Sequence, residues 1–254
     1  MRKIALITGA TAGIGKATAQ KLAENNFNII ITGRRIKQLE ELKNELGIKY
    51  KSDVTLLNFD ICNQTETSQA IDSLSDTWKK IDVLVNNAGL SVGLNSINDG
   101  VIEDWERMID TNIKGLLYIS NKIIPIMIAR GSGHIVNITS IAGKEVYEKG
   151  NVYCATKSAV DALTKGMRAD LLNHNIKVTS IAPGMVETEF SLVRFKGDKE
   201  RADKVYQGFT PLSAEDVADA IWYSVSRPAH VNINDMLIMP TAQASATLVN
   251  RNNA

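Results

Sequence analysis

Seven short apolar runs, at 4–7, 27–31, 54–59, 83–85, 135–138, 178–181 and 236–239, punctuate the chain between longer stretches of helical periodicity. Runs of this length, apolar at most positions on both faces, suit strands buried on both sides. Successive parallel strands need a crossover, usually a helix, between them. The intervening stretches supply it: Ile36, Leu39, Leu42 and Leu46 recur at three- and four-residue spacing, as do Val217, Ala220, Ile221, Ser224 and Val225. Ser213 and Asp216 provide a capping signal for the second of these. The pattern predicts an α/β fold with one doubly wound parallel sheet of about seven strands, helices on both faces and ligands at the carboxyl ends of the strands.

The 254 residues, 44% hydrophobic and 22% charged, fit one large core, and the chain reads as a single unit over 1–254 without repeats or linkers. The longest irregular stretch runs from 183 to 211 and follows a strand end, which predicts a lid around 184–211; a tail follows at 241–254. A formal net charge of +1 offers no field to hold nucleic acid. Cys62 and Cys154 lack CxxC spacing, and His134, His174 and His230 are scattered, so no metal site is expected. The first apolar run is too short for a signal peptide and no later run approaches a membrane span, which points to the cytoplasm and to no membrane partner.

Thr8-Gly9-Ala10-Thr11-Ala12-Gly13-Ile14-Gly15 follows the first run and opens a helical stretch. Its glycines let a pyrophosphate approach backbone N–H groups at a helix N-terminus, as in a Rossmann-type site, although a bare tight turn fits them too. The second run ends in Thr32-Gly33-Arg34-Arg35, where NAD sites place an acid on the ribose hydroxyls. A guanidinium instead matches a 2′-phosphate, so Arg34 and Arg35 favour NADP. The alternative is a pair of solvated arginines, which would gain nothing from the positive end of the following helix.

Tyr153-Cys154-Ala155-Thr156-Lys157 places a phenol and an ammonium four residues apart on one helical face. A neighbouring cation draws a phenol toward a useful acid–base range. Ser140, upstream, can bond a carbonyl or alkoxide oxygen, and Asn112 can hold a water that refills a proton relay through Lys157. Cys154 points off that face and receives no catalytic role.

The order TGxxxGxG, Asn86-Asn87-Ala88-Gly89, Ser140 and YxxxK resembles the short-chain dehydrogenase/reductase family, and the resemblance spans the whole chain. It implies an oxidoreductase acting on CH–OH groups, with Asn112, Ser140, Tyr153 and Lys157 catalytic. It implies cofactor contacts at Gly9, Thr11, Gly13, Ile14, Gly15, Arg34, Arg35, Asp60, Ile61, Asn87, Ala88 and Gly89, besides Tyr153 and Lys157. Val186 and Thr188 would lie near the nicotinamide carboxamide, in a pocket shaped by Pro183 and Gly184. Local alternatives are that Asp60 caps the next helix and that Asn86 or Asn87 ties a turn.

Glu187-Thr188-Glu189-Phe190-Ser191, the stretch Val193 to Asp198, and Pro228 to Asn234 are similar to the NADP-dependent 3-hydroxy acid dehydrogenases, the group of serine 3-dehydrogenase and L-allo-threonine dehydrogenase. That similarity implies a homotetramer and substrates such as serine, allo-threonine or 3-hydroxypropionate with malonic semialdehyde. Long apolar helical stretches over 105–128 suit such packing. An acid substrate needs a fixed cation, and Arg194 in the lid suits a carboxylate, with Met185 and Phe190 as an apolar wall and Lys196 the competing cation. Other readings are a reductase of 3-oxoacyl thioesters and a nucleotide-sensing protein without catalysis.

Overall fold

The computed structural model describes residues 2–252, so residue 1 of the predicted unit and residues 253–254 of the predicted tail lie outside the described residues. Seven strands form one sheet: β1 (Lys3–Ile7), β2 (Phe27–Gly33), β3 (Val54–Asn58), β4 (Ile81–Asn86), β5 (Gly133–Ile138), β6 (Ile176–Pro183) and β7 (Asp235–Ile238). All neighbours pair in parallel, in the order β3-β2-β1-β4-β5-β6-β7. The order reverses between β1 and β4, which opens a crevice at their carboxyl ends.

The two-residue period of the strands sorts the core into two layers. Ala5 and Ile7 of β1 pack with Ile29 and Ile31 of β2 against α1 (Gly13–Glu24), α2 (Ile36–Tyr50) and a helix near the C-terminus (Ala214–Val225). Ile4, Leu6 and Ile30 face the other way, against α3 (Gln64–Asp72) and a helix at Leu116–Arg130. Between α3 and that helix lies α4 (Ile102–Ile109), which runs into the helix, named α5, through a π-helical stretch at Asp110–Gly115. Next come α6 (Asn151–Asp170), α7 (Phe190–Arg194), α8 (Lys199–Lys204) and, at Ala214–Val225, α9. The expected capping box is present: Ser213 Oγ accepts from Asp216 N while the Asp216 carboxylate accepts from Ser213 N. Among the described residues no helix is long and apolar enough to cross a membrane.

The segment read as irregular over 183–211 carries α7 and α8. Helices of five and six residues are too short to print a period in the sequence. The tail packs beneath this segment: Gln243 Oε1 accepts from Met185 N at 2.8 Å, and Arg251 donates to Val205 O at 3.1 Å and Gln207 O at 2.7 Å.

His134, at the start of β5, is 3% exposed; its Nε2 lies 2.8 Å from Thr179 Oγ1, and its Nδ1 has no partner among the described residues. Burial, with Lys177 and Lys3 nearby, lowers its pKa from 6.5 to about 3. The ring is therefore neutral in the fold and gains a proton on unfolding. Its contribution to stability is full above about pH 6.5 and falls by up to about 1.4 kcal/mol per pH unit as the pH drops toward 3. Urea unfolding from about pH 7 to about pH 4 should show a shallower loss of stability in His134→Gln than in the parent; equal slopes would contradict the buried neutral ring.

Candidate active site

The crevice at the strand ends is a cleft of about 420 Å³. Its floor begins at the glycine-rich turn. Gly9 has φ +65°, a conformation side chains rarely adopt, and a Cβ on Gly15 would sit 2.3 Å from Gly9 O and 2.5 Å from Asn87 Nδ2. The turn is thus folded tightly enough to bare its backbone at the start of α1, which fits a pyrophosphate. Asn87 locks it in place: Nδ2 donates to Thr8 O at 2.8 Å, and Thr8 Oγ1 accepts from Asn87 N at 3.0 Å and Ala88 N at 2.9 Å. Asn86 turns inward instead, donating to Ser120 Oγ and Asn137 Oδ1.

At the end of β2, Arg34 Nη1 lies 3.4 Å from Asp60 Oδ2. Partial burial opposes charge on Asp60, but the N–H of Cys62 and the Arg34 guanidinium hold its carboxyl below the usual value. Asn63, not Asp60, caps α3, accepting from Thr65 N and Glu66 N. Arg35 donates through Nε and Nη2 to Thr11 Oγ1, at 3.1 and 2.8 Å, and through Nη1 to Glu189 Oε2 at 3.0 Å.

At the other end α6 presents Tyr153 and Lys157, both buried, with Ser140 at the close of β5. Ser140 Oγ accepts from Ala142 N at 3.1 Å, which fixes the hydroxyl at the cleft wall. Burial pushes the Tyr153 phenol up, and the Arg194 guanidinium and a hydrogen bond with Ser140 pull it partway back. Lys157 is 6% exposed; its Nζ donates to Ile138 O at 2.9 Å and has no carboxylate partner among the described residues. Burial lowers it from 10.5 to about 8. A phenol beside a cation at a fixed hydroxyl can exchange a proton with a substrate oxygen.

Gly9, Thr11, Gly13, Ile14, Arg34, Arg35, Asp60, Ile61, Asn87, Ala88, Gly89, Ser140, Tyr153, Lys157, Pro183, Gly184, Val186, Thr188 and Phe190 all line the cleft. Gly15 lies beneath the turn, and Met185, bound to Gln243, does not face the cleft. Asn112 is buried in the π-helical stretch. Its Oδ1 accepts from Leu90 N, and its Nδ2 donates to Leu90 O and Thr156 Oγ1, so both amide donors are spent on structure.

Arg194 sits beside the main cleft, with its guanidinium carbon 5.1 Å from the Tyr153 ring centre and 5.2 Å from that of Phe190. Its Nε donates to Ser91 Oγ at 3.1 Å and its Nη2 to Tyr147 Oη at 3.0 Å. Lys196 is engaged elsewhere, 2.8 Å from Asp104. Sequence reasoning missed Ser91, Tyr147 and Glu189, which touch the site only through long-range packing, and also Arg107 and Thr111 on the cleft wall. The TEFS stretch held the one available signal, an acid immediately before the helix that carries Arg194.

The sequence profile of the short chain dehydrogenase family matches residues 3–198. An NADP-dependent 3-hydroxy acid dehydrogenase of Salmonella typhi is 47% identical over 246 residues, 96% of this chain and 98% of the relative. Sulfoacetaldehyde reductase 2 of Chromohalobacter salexigens is 43% identical over 253 residues, 99% of this chain and 100% of the relative. The solved closed form of serine dehydrogenase complexed with NADP+ superposes with a TM-score of 0.93 at 45% identity, over 96% of this chain and 98% of that one. The chain belongs to the short-chain dehydrogenase family and is an oxidoreductase acting on CH–OH groups.

A buried ammonium without a carboxylate destabilises the fold. With a folded pKa of about 8, below the ordinary 10.5, charging Lys157 at neutral pH costs about 3 kcal/mol, a cost that fades as the pH rises from 8 toward 10.5. Lys157→Met should therefore raise the thermal midpoint of the cofactor-free protein at about pH 7, with the gap closing near pH 10. A lower midpoint in the variant at neutral pH would contradict this.

Proposed function

We propose that the protein is an NADP(H)-dependent dehydrogenase of small 3-hydroxy acids, of the class of serine, allo-threonine and 3-hydroxypropionate, and reduces the corresponding 3-oxo acids. The observation that carries this reading is Arg194, whose guanidinium lies over the Tyr153 ring with neutral hydroxyls as its side-chain hydrogen-bond partners. Its charge remains available to an anion placed one short step from the reacting oxygen. Arg34 and Arg35 favour the 2′-phosphate, and the Salmonella typhi relative and the solved serine dehydrogenase complex are both named for NADP. By the same likeness we extend the reading to a cytoplasmic homotetramer and treat 184–211 as a lid.

When bound, the nicotinamide supplies or accepts a hydride. In reduction, Tyr153 Oη gives its proton to the carbonyl oxygen; in oxidation it takes the hydroxyl proton. Ser140 orients that oxygen, and the Lys157 ammonium and Arg194 guanidinium favour the phenolate that reduction leaves behind. Asn112 serves mainly by fixing Leu90 against Thr156, and with both amide donors spent it can join a relay only as an acceptor or through its main chain.

The likeness to a sulfoacetaldehyde reductase supports a second reading. Sulfoacetaldehyde carries its sulfonate one carbon from the carbonyl, the same spacing as a 3-oxo acid, and one guanidinium serves either anion. A 3-oxoacyl thioester offers no anion at that spacing and would leave Arg194 unused.

Tyr153→Phe should lower turnover by roughly two to four decades while leaving NADPH affinity nearly unchanged, because the hydroxyl moves the proton and the ring only packs. Near-normal turnover would remove Tyr153 from the role. In Arg194→Ala, KM for 3-hydroxy acids should rise by roughly one to two decades, the worth of one charged hydrogen bond, with little change for an uncharged alcohol of similar size. Equal losses on both substrates would assign Arg194 to the architecture of the lid instead of the anion.

A further inference from the structure

Arg35 holds its two neighbours on different parts of one guanidinium. Its Nε–Nη2 edge, the edge that grips an oxyanion in bidentate fashion, rests on the neutral hydroxyl of Thr11 at 3.1 and 2.8 Å. Its Nη1 corner points across the cleft to Glu189, 3.0 Å away on the segment between β6 and α7. Thr11, Arg35 and Glu189 all line the cleft, so the contact bridges its two walls. The helix that follows, α7, is tied down at its last residue by Gly93 N donating to Arg194 O at 2.9 Å.

We propose that Glu189 is a positioning residue that couples lid closure, through Arg35, to the 2′-phosphate of the bound nucleotide; this rests on the NADP reading above. A phosphate displaces the weak acceptor, the Thr11 hydroxyl, from the Nε–Nη2 edge and leaves Nη1 to the carboxylate. The guanidinium then lies between two anions, which screens each from the other and fixes its own orientation. A nucleotide without the phosphate leaves Arg35 held only by a hydroxyl on that edge, and the lid loses a rigid anchor. Both partners of the ion pair are about half exposed, at 42% and 57% of their side chains, so the latch is weak enough to open in each cycle.

The geometry also decides against competition, in which Glu189 would occupy the phosphate's own place. That would require the carboxylate on the bidentate edge, and the hydroxyl is there instead.

The test is the rate at which NADPH and NADH leave the protein, followed by nucleotide fluorescence in a stopped-flow chase. Glu189→Gln should speed NADPH dissociation by up to about fivefold, the range an exposed ion pair supplies. It should leave NADH dissociation unaltered and lose its effect near 1 M salt, where the Debye length is about 3 Å. In an Arg35→Ala background the same substitution should have no further effect. Slower NADPH dissociation in Glu189→Gln would show competition and overturn the proposal; an equal change for both nucleotides, or none, would overturn it as well. Equal affinity of the unmodified protein for NADPH and NADH would remove the cofactor reading and the coupling with it. A Glu189→Gln failure with NADPH preference intact removes the coupling alone.

Discussion

The contact between Thr8 and the Asn87-Ala88 backbone holds the two halves of the sheet together at the place where they must part. Strand order reverses between β1 and β4, so the chain ends leaving those strands diverge. Thr8 Oγ1, taking two N–H groups, and Asn87 Nδ2, donating to Thr8 O, tie the diverging ends within hydrogen-bond distance. That tie makes the glycine at 15 obligatory: with Asn87 drawn in, a Cβ there has no room. The cleft is therefore a product of the switch point, and the side chains around it are placed by elements that radiate from one knot.

The outline of the fold was legible because its signals are local and repeated. Each apolar run sits on a strand, with ends differing by up to two residues, as at β6, which extends two residues beyond its run at each end, and the Ser213–Asp216 box caps α9 as its spacing implies. Tyr153 and Lys157 were legible for the same reason, since one helical turn links them. What stayed hidden depends on packing between distant segments. Ser91 and Tyr147 meet Arg194 across separations of 103 and 47 residues, and Glu189 meets Arg35 across 154. No spacing rule in the chain encodes those meetings. Asn112 is an intermediate case: its motif marked the position, but only the fold shows that the amide is consumed by Leu90 and Thr156. Met185 does not line the cleft, and the residue that binds its N–H, Gln243, lies 58 residues away.

The cations of the cleft are distinguished by what escorts them. Arg34 and Arg35 each face a carboxylate, on Asp60 and Glu189, in solvent-exposed pairs that exchange at little cost. Lys157 has a backbone carbonyl as its partner, and Arg194 has the hydroxyls of Ser91 and Tyr147. A carboxylate beside either of these last two would cancel the charge that a developing oxyanion or a bound acid requires. Neutral acceptors orient the cation and leave its field intact.

That division of escorts also fits the proposed role of Tyr153 as the proton donor. Burial raises the phenol, which suits an acid that must keep its proton until the carbonyl oxygen demands it. In the proposed mechanism, the Arg194 guanidinium and the Lys157 ammonium, neither with a carboxylate partner among the described residues, make the phenolate tolerable at the moment it forms. If burial acted alone, the phenol would hold its proton throughout; if the cations were neutralised by acids, the same would follow. The proposed chemistry depends on keeping both opposing influences at one site, and the fold meets the electrostatic cost through the wide hydrophobic layers on either side of the sheet.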